Sequence, residues 1–159
     1  MTDYLKYLLS PALLMTHVAG LAMGGNYVWL GLGLLLFVLF FDAFLAPSHH
    51  IRDTRYPWLY DIVISLTALA SFAVILFYAW ASGSGHLTAT SEQVGAFLGT
   101  LVYGFVVMAP PIHELFHREN TVLRWLGRVG QCLVFDPWRE ITHVVTHHMK
   151  VATPDDPDY

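Results

Sequence analysis

The chain has 159 residues, of which 55% are hydrophobic and only 13% charged, with a formal net charge of −4 at pH 7. Its mean hydropathy is positive, which argues against an ordinary water-soluble domain of this size, and no nucleic-acid partner is expected. The lone Cys132 excludes an internal disulfide and is expected to serve packing only.

Four stretches approach the roughly 20 mostly apolar residues that a membrane-spanning helix needs: Tyr7 to Met23, Tyr27 to Leu45, Leu59 to Ala81 and Val94 to Ile112. The first carries Pro11 and His17. It has one preceding lysine, Lys6, and no small-residue cleavage pattern after it, so it reads as a span and not as a signal peptide. Gly24-Gly25-Asn26 closes the first hairpin, and "SGSGHLTATSEQ" closes the second. Asp42 ends the second span as a buried partner or an interface cap, and Asp61 is the single formal charge of the third. Trp58 and Tyr60 at one end of that span, and Tyr78 and Trp80 at the other, read as interface anchors. Gly95, Gly99 and Gly104 permit close helix contact in the fourth.

Lysines and arginines collect on the cytoplasmic side of bacterial membranes, and all eight here fall on one side of the four-span reading. Lys6 precedes span one, Arg52 and Arg55 lie between spans two and three, and Arg118, Arg124, Arg128, Arg139 and Lys150 follow span four. Both ends of the chain are therefore expected in the cytoplasm of a multi-pass inner-membrane protein. Beyond Pro110-Pro111, arginines mix with Leu, Val, Trp and Phe at roughly helical spacing. This predicts a helix along the cytoplasmic face, a turn at Asp136-Pro137, and a second helical segment from about Trp138 to Lys150. The expected organisation is all-α: a four-span region, 1–112, then a histidine-bearing segment, 113–159, whose last residues, "ATPDDPDY", cannot continue a helix.

Five of nine histidines fall in two clusters. In "HELFH", His113 and His117 are four apart and project from one face of an α-helix, separated by about 40°. In "THVVTHH", His143 and His147 repeat the spacing and His148 follows. Neutral imidazoles ligate zinc, copper, nickel or iron, and two helical pairs facing each other can enclose a metal. Alone, "HELFH" matches the H-E-x-x-H pattern of zinc proteases, with Glu114 as general base. One tetrahedral zinc cannot use five histidines and keep a water, so the surplus points to more than one ion. Glu114 is either a group that orients a ligand or a charge placed near a helix N-terminus. His17 is either a channel-facing polar group or a helix–helix hydrogen-bonding residue. His49 and His50, beside Arg52, suit headgroup contact, and His86 belongs to the far side.

"HELFHR" followed by "THVVTHHMKVATPDDP" resembles the first two histidine boxes of the integral-membrane di-iron alkane 1-monooxygenases, within the membrane desaturase and hydroxylase superfamily. The likeness extends upstream to "FDAFLAP" and the four-span layout. Thr142 stands where that family commonly carries a glutamate, with Glu140 two residues earlier. The family's two further spans, its N-Y-x-E-H-Y-G motif and its third histidine box would lie downstream of Tyr159. The resemblance is thus to the N-terminal portion of a larger enzyme, either as a fragment or as a truncated homologue expected to be inactive alone. It implies two irons held by His113, His117, His143, His147 and His148, a hydrocarbon or fatty acyl substrate arriving from the bilayer, and electrons from a rubredoxin- or ferredoxin-type donor. An intramembrane zinc protease and an inactive membrane scaffold are the competing readings.

Overall fold

The computed structural model describes residues 2–47 and 55–156; His49, His50 and Arg52 lie outside the described residues. Every regular element among those described is helical. A short α1 (Thr2–Lys6) precedes α2 (Leu9–Met23). A 3-10 turn (Gly25–Trp29) leads into α3 (Leu30–Asp42), followed by the long α4 (Pro57–Gly83) and by α5 (Thr90–Tyr103). A π-helical turn (Gly104–Met108) then passes into α6 (Ala109–Glu114) and a 3-10 turn (Leu115–His117). Counted continuously, four helices are long and apolar enough to cross a membrane: Tyr4–Met23, Gly25–Asp42, Pro57–Gly83 and Thr90–His117.

Their outward surface supports the same conclusion. The Gly25–Asp42 helix turns most of its apolar surface outward, with Leu36, Phe37, Phe40 and Phe41 all exposed. Apolar faces of this extent are not left to water.

Each turn has a local cause. The first hairpin reverses at Gly24 and Gly25, whose φ values of 68° and 57° lie in the left-handed region that only glycine enters without steric cost. Glu92 reaches back to accept from the Thr88 N–H at 2.9 Å and the Ala89 N–H at 3.4 Å, satisfying donors at the start of α5. Pro110 and Pro111 lack the N–H groups that would bond to the carbonyls four residues before them, and their rings crowd those carbonyls. The wider π-helical turn at Gly104–Met108 lies directly upstream of them.

The main core joins Leu13, Leu14 and Val18 of α2 to Ala68 and Val74 of α4, and to Tyr103, Met108 and Ile112 along the fourth span. A smaller cluster, including Leu21, Val28, Ala81 and Ala96, seals the opposite end. After the bundle, Asn120 caps α7 (Thr121–Leu133): its Oδ1 accepts from the Val122 N–H at 2.9 Å and the Leu123 N–H at 3.3 Å. A Cβ on Gly130 would stand 2.9 Å from Ile112, and one on Gly127 would stand 3.0 Å from Leu115. These two glycines therefore let α7 lie directly on the turn that carries the first histidine pair.

Three expectations change. The helix through span four continues beyond Ile112 to His117, so the first cluster is the last part of that long helix and not the start of an interfacial one. The second cluster lies largely on a π-helix (Glu140–His147), completed by α8 (His148–Lys150). Cys132 is exposed, not packed.

Candidate metal centre

The two histidine clusters meet at one end of the bundle. His113 and His117 approach with Nε2 atoms 3.3 Å apart, and His143 and His148 with Nε2 atoms 3.0 Å apart. The His113 and His143 rings are 4.2 Å centre to centre, and those of His117 and His148 are 4.8 Å apart. One nitrogen from each of His113, His117 and His143 falls within a 4.8 Å group. Imidazole nitrogens bound to one first-row ion at about 2.1 Å lie about 3.0 to 3.4 Å from each other at octahedral to tetrahedral angles. The close pairs have that spacing, so the donor set fits a metal.

His148 belongs to this group because of the π-helix. In an α-helix, residues five apart differ by about 140° in direction. Where hydrogen bonds run from i to i+5, residues five apart stack one turn above the other. His143 and His148 are such a pair, with His147 beside them at 4.8 Å between ring centres from His143. Desolvation, and then the neighbouring imidazoles of His143, His117 and His147, hold His148 below the usual imidazole pKa. A neutral ring is the form that ligates.

A residue that sequence reasoning missed completes the cluster. Asp156, its side chain 3% exposed, meets His147 Nδ1 at 2.7 Å through Oδ1. The segment after α8 brings it back: the Thr153 N–H donates to the Lys150 carbonyl at 2.9 Å, and the Asp156 N–H to the Thr153 carbonyl at 3.1 Å. Ala152, at φ 61°, makes the left-handed step in this reversal. With Nδ1 engaged by the carboxylate, His147 would ligate through Nε2. A carboxylate in this position fixes the tautomer and raises the basicity of the ring. The signal lies in "VATPDDP", which the sequence reading uses for the family resemblance without assigning Asp156 a role.

Glu140 anchors the π-helix to α7. Its carboxylate accepts from Arg124 Nη2 at 2.8 Å, from Arg128 Nη2 at 3.0 Å and from Arg128 Nε. The hydrogen bond and charge of Arg128, then those of Arg124, hold the Glu140 carboxyl below the ordinary carboxylate range, against the opposing effect of burial.

Glu114 points elsewhere. It pairs with Arg118 at 3.3 Å, and Arg118 in turn meets Asp61 at 3.0 Å. Glu114 and Arg118 line a second cavity, of about 500 Å³, together with Tyr7, Ser10 and Tyr60. His113 and His143 instead line a larger cavity, of about 720 Å³. That cavity is walled by Ile75 and Tyr78 of α4 and by Phe97, Leu101 and Phe105 of the fourth span. Gln131, Asp136 and Arg139 also line it, and Arg139 pairs with Asp136 at 2.7 Å. A predominantly apolar chamber thus runs from between the spans to the imidazoles. The two other histidines among the described residues stand apart from the centre: His17 bonds Thr100 within the bundle, and His86 packs on Trp80 with ring centres 4.7 Å apart.

The chain is 28% identical over 158 residues to the hydroxylase component of the xylene/toluene monooxygenase XylM of Pseudomonas putida, covering 98% of this chain and 42% of that protein. It is 29% identical over 134 residues to an alkane 1-monooxygenase of Ectopseudomonas oleovorans, covering 82% of this chain and 32% of that one. With alkane 1-monooxygenase 2 of Alcanivorax borkumensis it shares 26% identity over 119 residues, covering 69% and 30%. The chain therefore spans less than half the length of these relatives. No family model matches it, and no solved structure does.

Proposed function

We propose that this chain forms the membrane-embedded, N-terminal part of a non-haem di-iron monooxygenase that hydroxylates hydrocarbon or fatty acyl chains. One observation carries the reading: imidazoles at ligating separation stand at the end of an apolar cavity that reaches between membrane-spanning helices. The similarity to xylene and alkane monooxygenases supports the class of reaction. His113, His117, His143, His147 and His148 would hold the metal, and two close pairs, one from each cluster, suit two ions. When bound, iron supplies the binding and two-electron reduction of dioxygen that insertion into an unactivated C–H bond requires.

The chain's own residues do the rest. Asp156 holds the His147 proton on Nδ1, and Glu140 fixes the π-helix that presents His143. Ile75, Phe97, Leu101 and Phe105 take the hydrocarbon from the lipid and exclude water, with each buried methylene contributing about 0.8 kcal/mol. The charge distribution favours the cytoplasmic side of a bacterial inner membrane for the centre, where a rubredoxin- or ferredoxin-type protein would deliver electrons. The orientation of Glu114 toward Arg118 disfavours a zinc protease, whose general base must face the metal.

The test is metal analysis of the protein expressed from its full coding sequence in membranes, paired with oxygen- and reductant-dependent hydroxylation of an alkane. Two irons per chain with alcohol formation, both lost in His143→Ala, are expected. One zinc with peptide cleavage would establish the protease instead, and a metal-free protein whose function survives His143→Ala would establish the scaffold.

A further inference from the structure

The far part of the large cavity carries a hydroxyl that, among the described residues, makes no bond to a backbone carbonyl. Thr100 lines this wall, 8% exposed, among Ile75, Phe97 and Leu101. It stands 13 positions before His113 on one continuous span, which at helical rise is about 20 Å. Four other span hydroxyls return their proton to the carbonyl four residues back: Thr16 to Ala12, Ser65 to Asp61, Thr67 to Val63 and Ser71 to Thr67. Thr100 does not. Its hydrogen bond among the described residues is to His17 Nε2, at 3.1 Å.

His17 is held tightly. It is fully buried, stacks on Tyr103 with ring centres 4.8 Å apart and planes 8° apart, and fills a slot left by Gly31 and Gly99. Its Nδ1 has no partner among the described residues. A buried N–H without an acceptor is rarer in proteins than a buried lone pair without a donor, so the proton belongs on Nε2. Nε2–H then donates to Thr100 Oγ1. The threonine is the acceptor in this pair, and its own O–H remains to be donated.

We infer that Thr100 donates a hydrogen bond to an acceptor oxygen on a lipophilic substrate, with His17 as its positioning residue. The favoured substrate class is then a carbonyl-bearing chain, a ketone or acyl ester whose oxygen lies remote from the end at the histidines, over a plain alkane. This rests on the reading of the cavity as the substrate site. Tyr78 supplies the other hydroxyl in the same wall, and the test separates the two.

The full-length protein in lipid nanodiscs is equilibrated with radiolabelled tetradecane, which is displaced by unlabelled tetradecane or by 2-tetradecanone, each corrected for partition into protein-free discs. The ketone is expected to bind about three- to tenfold more tightly, as one neutral hydrogen bond allows. Thr100→Val should bring the ratio to one without weakening tetradecane, whereas Thr100→Ser and Tyr78→Phe should keep it. His17→Phe should lose the preference, and His17→Gln, which retains an N–H donor, should restore it. A ratio unchanged in Thr100→Val, or one abolished by Tyr78→Phe instead, would overturn the assignment. Failure of both probes to bind would overturn it together with the substrate reading of the cavity. A ketone preference that persists in an iron-loaded protein that hydroxylates nothing would sink the oxygenase reading alone.

Discussion

Replacing Glu140 with glutamine should loosen the second histidine cluster and leave the bundle intact. The glutamate side chain is 12% exposed and accepts three bonds from two arginines that are each about 40% exposed. A buried charge-assisted hydrogen bond is worth about 1.5 to 3 kcal/mol, and an exposed ion pair about 0.2 to 1 kcal/mol. The glutamine keeps one acceptor and turns its amide donors toward guanidinium donors. An intermediate loss of about 2 kcal/mol follows, or roughly 30-fold in the equilibrium for local opening. Hydrogen exchange of the metal-free protein reads this directly: amides of 140–150 should exchange about 30-fold faster while those of α2 and α5 hold their rates. The difference should shrink in high salt, because the arginines are partly solvated. Acid should mimic the substitution. The folded carboxyl titrates below the ordinary carboxylate range, so its contribution is complete above the unfolded pKa and is lost as pH falls through the lower folded value. Unchanged exchange in 140–150, or acceleration spread evenly over the bundle, would refute the role given to Glu140.

Asp156→Asn removes the carboxylate charge behind His147 and should weaken metal binding about 10- to 100-fold in a chelator competition, with the melting temperature of the metal-free protein little altered. Gly130→Ala places a methyl 2.9 Å from Ile112 and should cost about 1 to 3 kcal/mol, seen as a lower melting temperature; an unchanged value would mean that α7 does not rest on this contact. Glu114→Gln should leave metal content intact and change turnover by less than about fivefold, the ceiling for an exposed ion pair. A loss of a hundredfold or more would revive the general-base reading.

The bundle was legible in the sequence because lipid asks only for apolar runs of sufficient length, and those runs can be counted. The meeting of the two clusters followed from their charge-defined location on one side. Other features depended on tertiary partners. Glu114 is adjacent to His113 in sequence, yet neighbours on a helix point about 100° apart, and Arg118 with Asp61 draws it toward the second cavity. His17 was readable as either a channel residue or a helix–helix bond. It makes the bond, and its partner Thr100 is the residue that lines the channel. Asp156 escaped notice because prolines and acids in a tail read as the end of order, whereas two turns carry that aspartate back nine residues to His147.

The π-helix could not be read because hydrophobic periodicity over eight residues does not distinguish i→i+4 from i→i+5 bonding, yet it determines which histidines converge. Its role can be tested by deletion. A π-turn behaves as an α-helix with a residue to spare, and Val145 is 56% exposed. Removing Val145 should return the segment to α-helical winding, with His148 now four residues from His143 and still one turn above it. His148 and the turn bearing Asp156 move as a unit, so metal should be retained to within about tenfold, the lower bound for disturbing a ligand's supporting contacts. Replacing His148 by alanine in the same background should abolish that retention. If the deletion alone releases the metal, then the π geometry itself, and not the closure of one turn between His143 and His148, is what the centre requires.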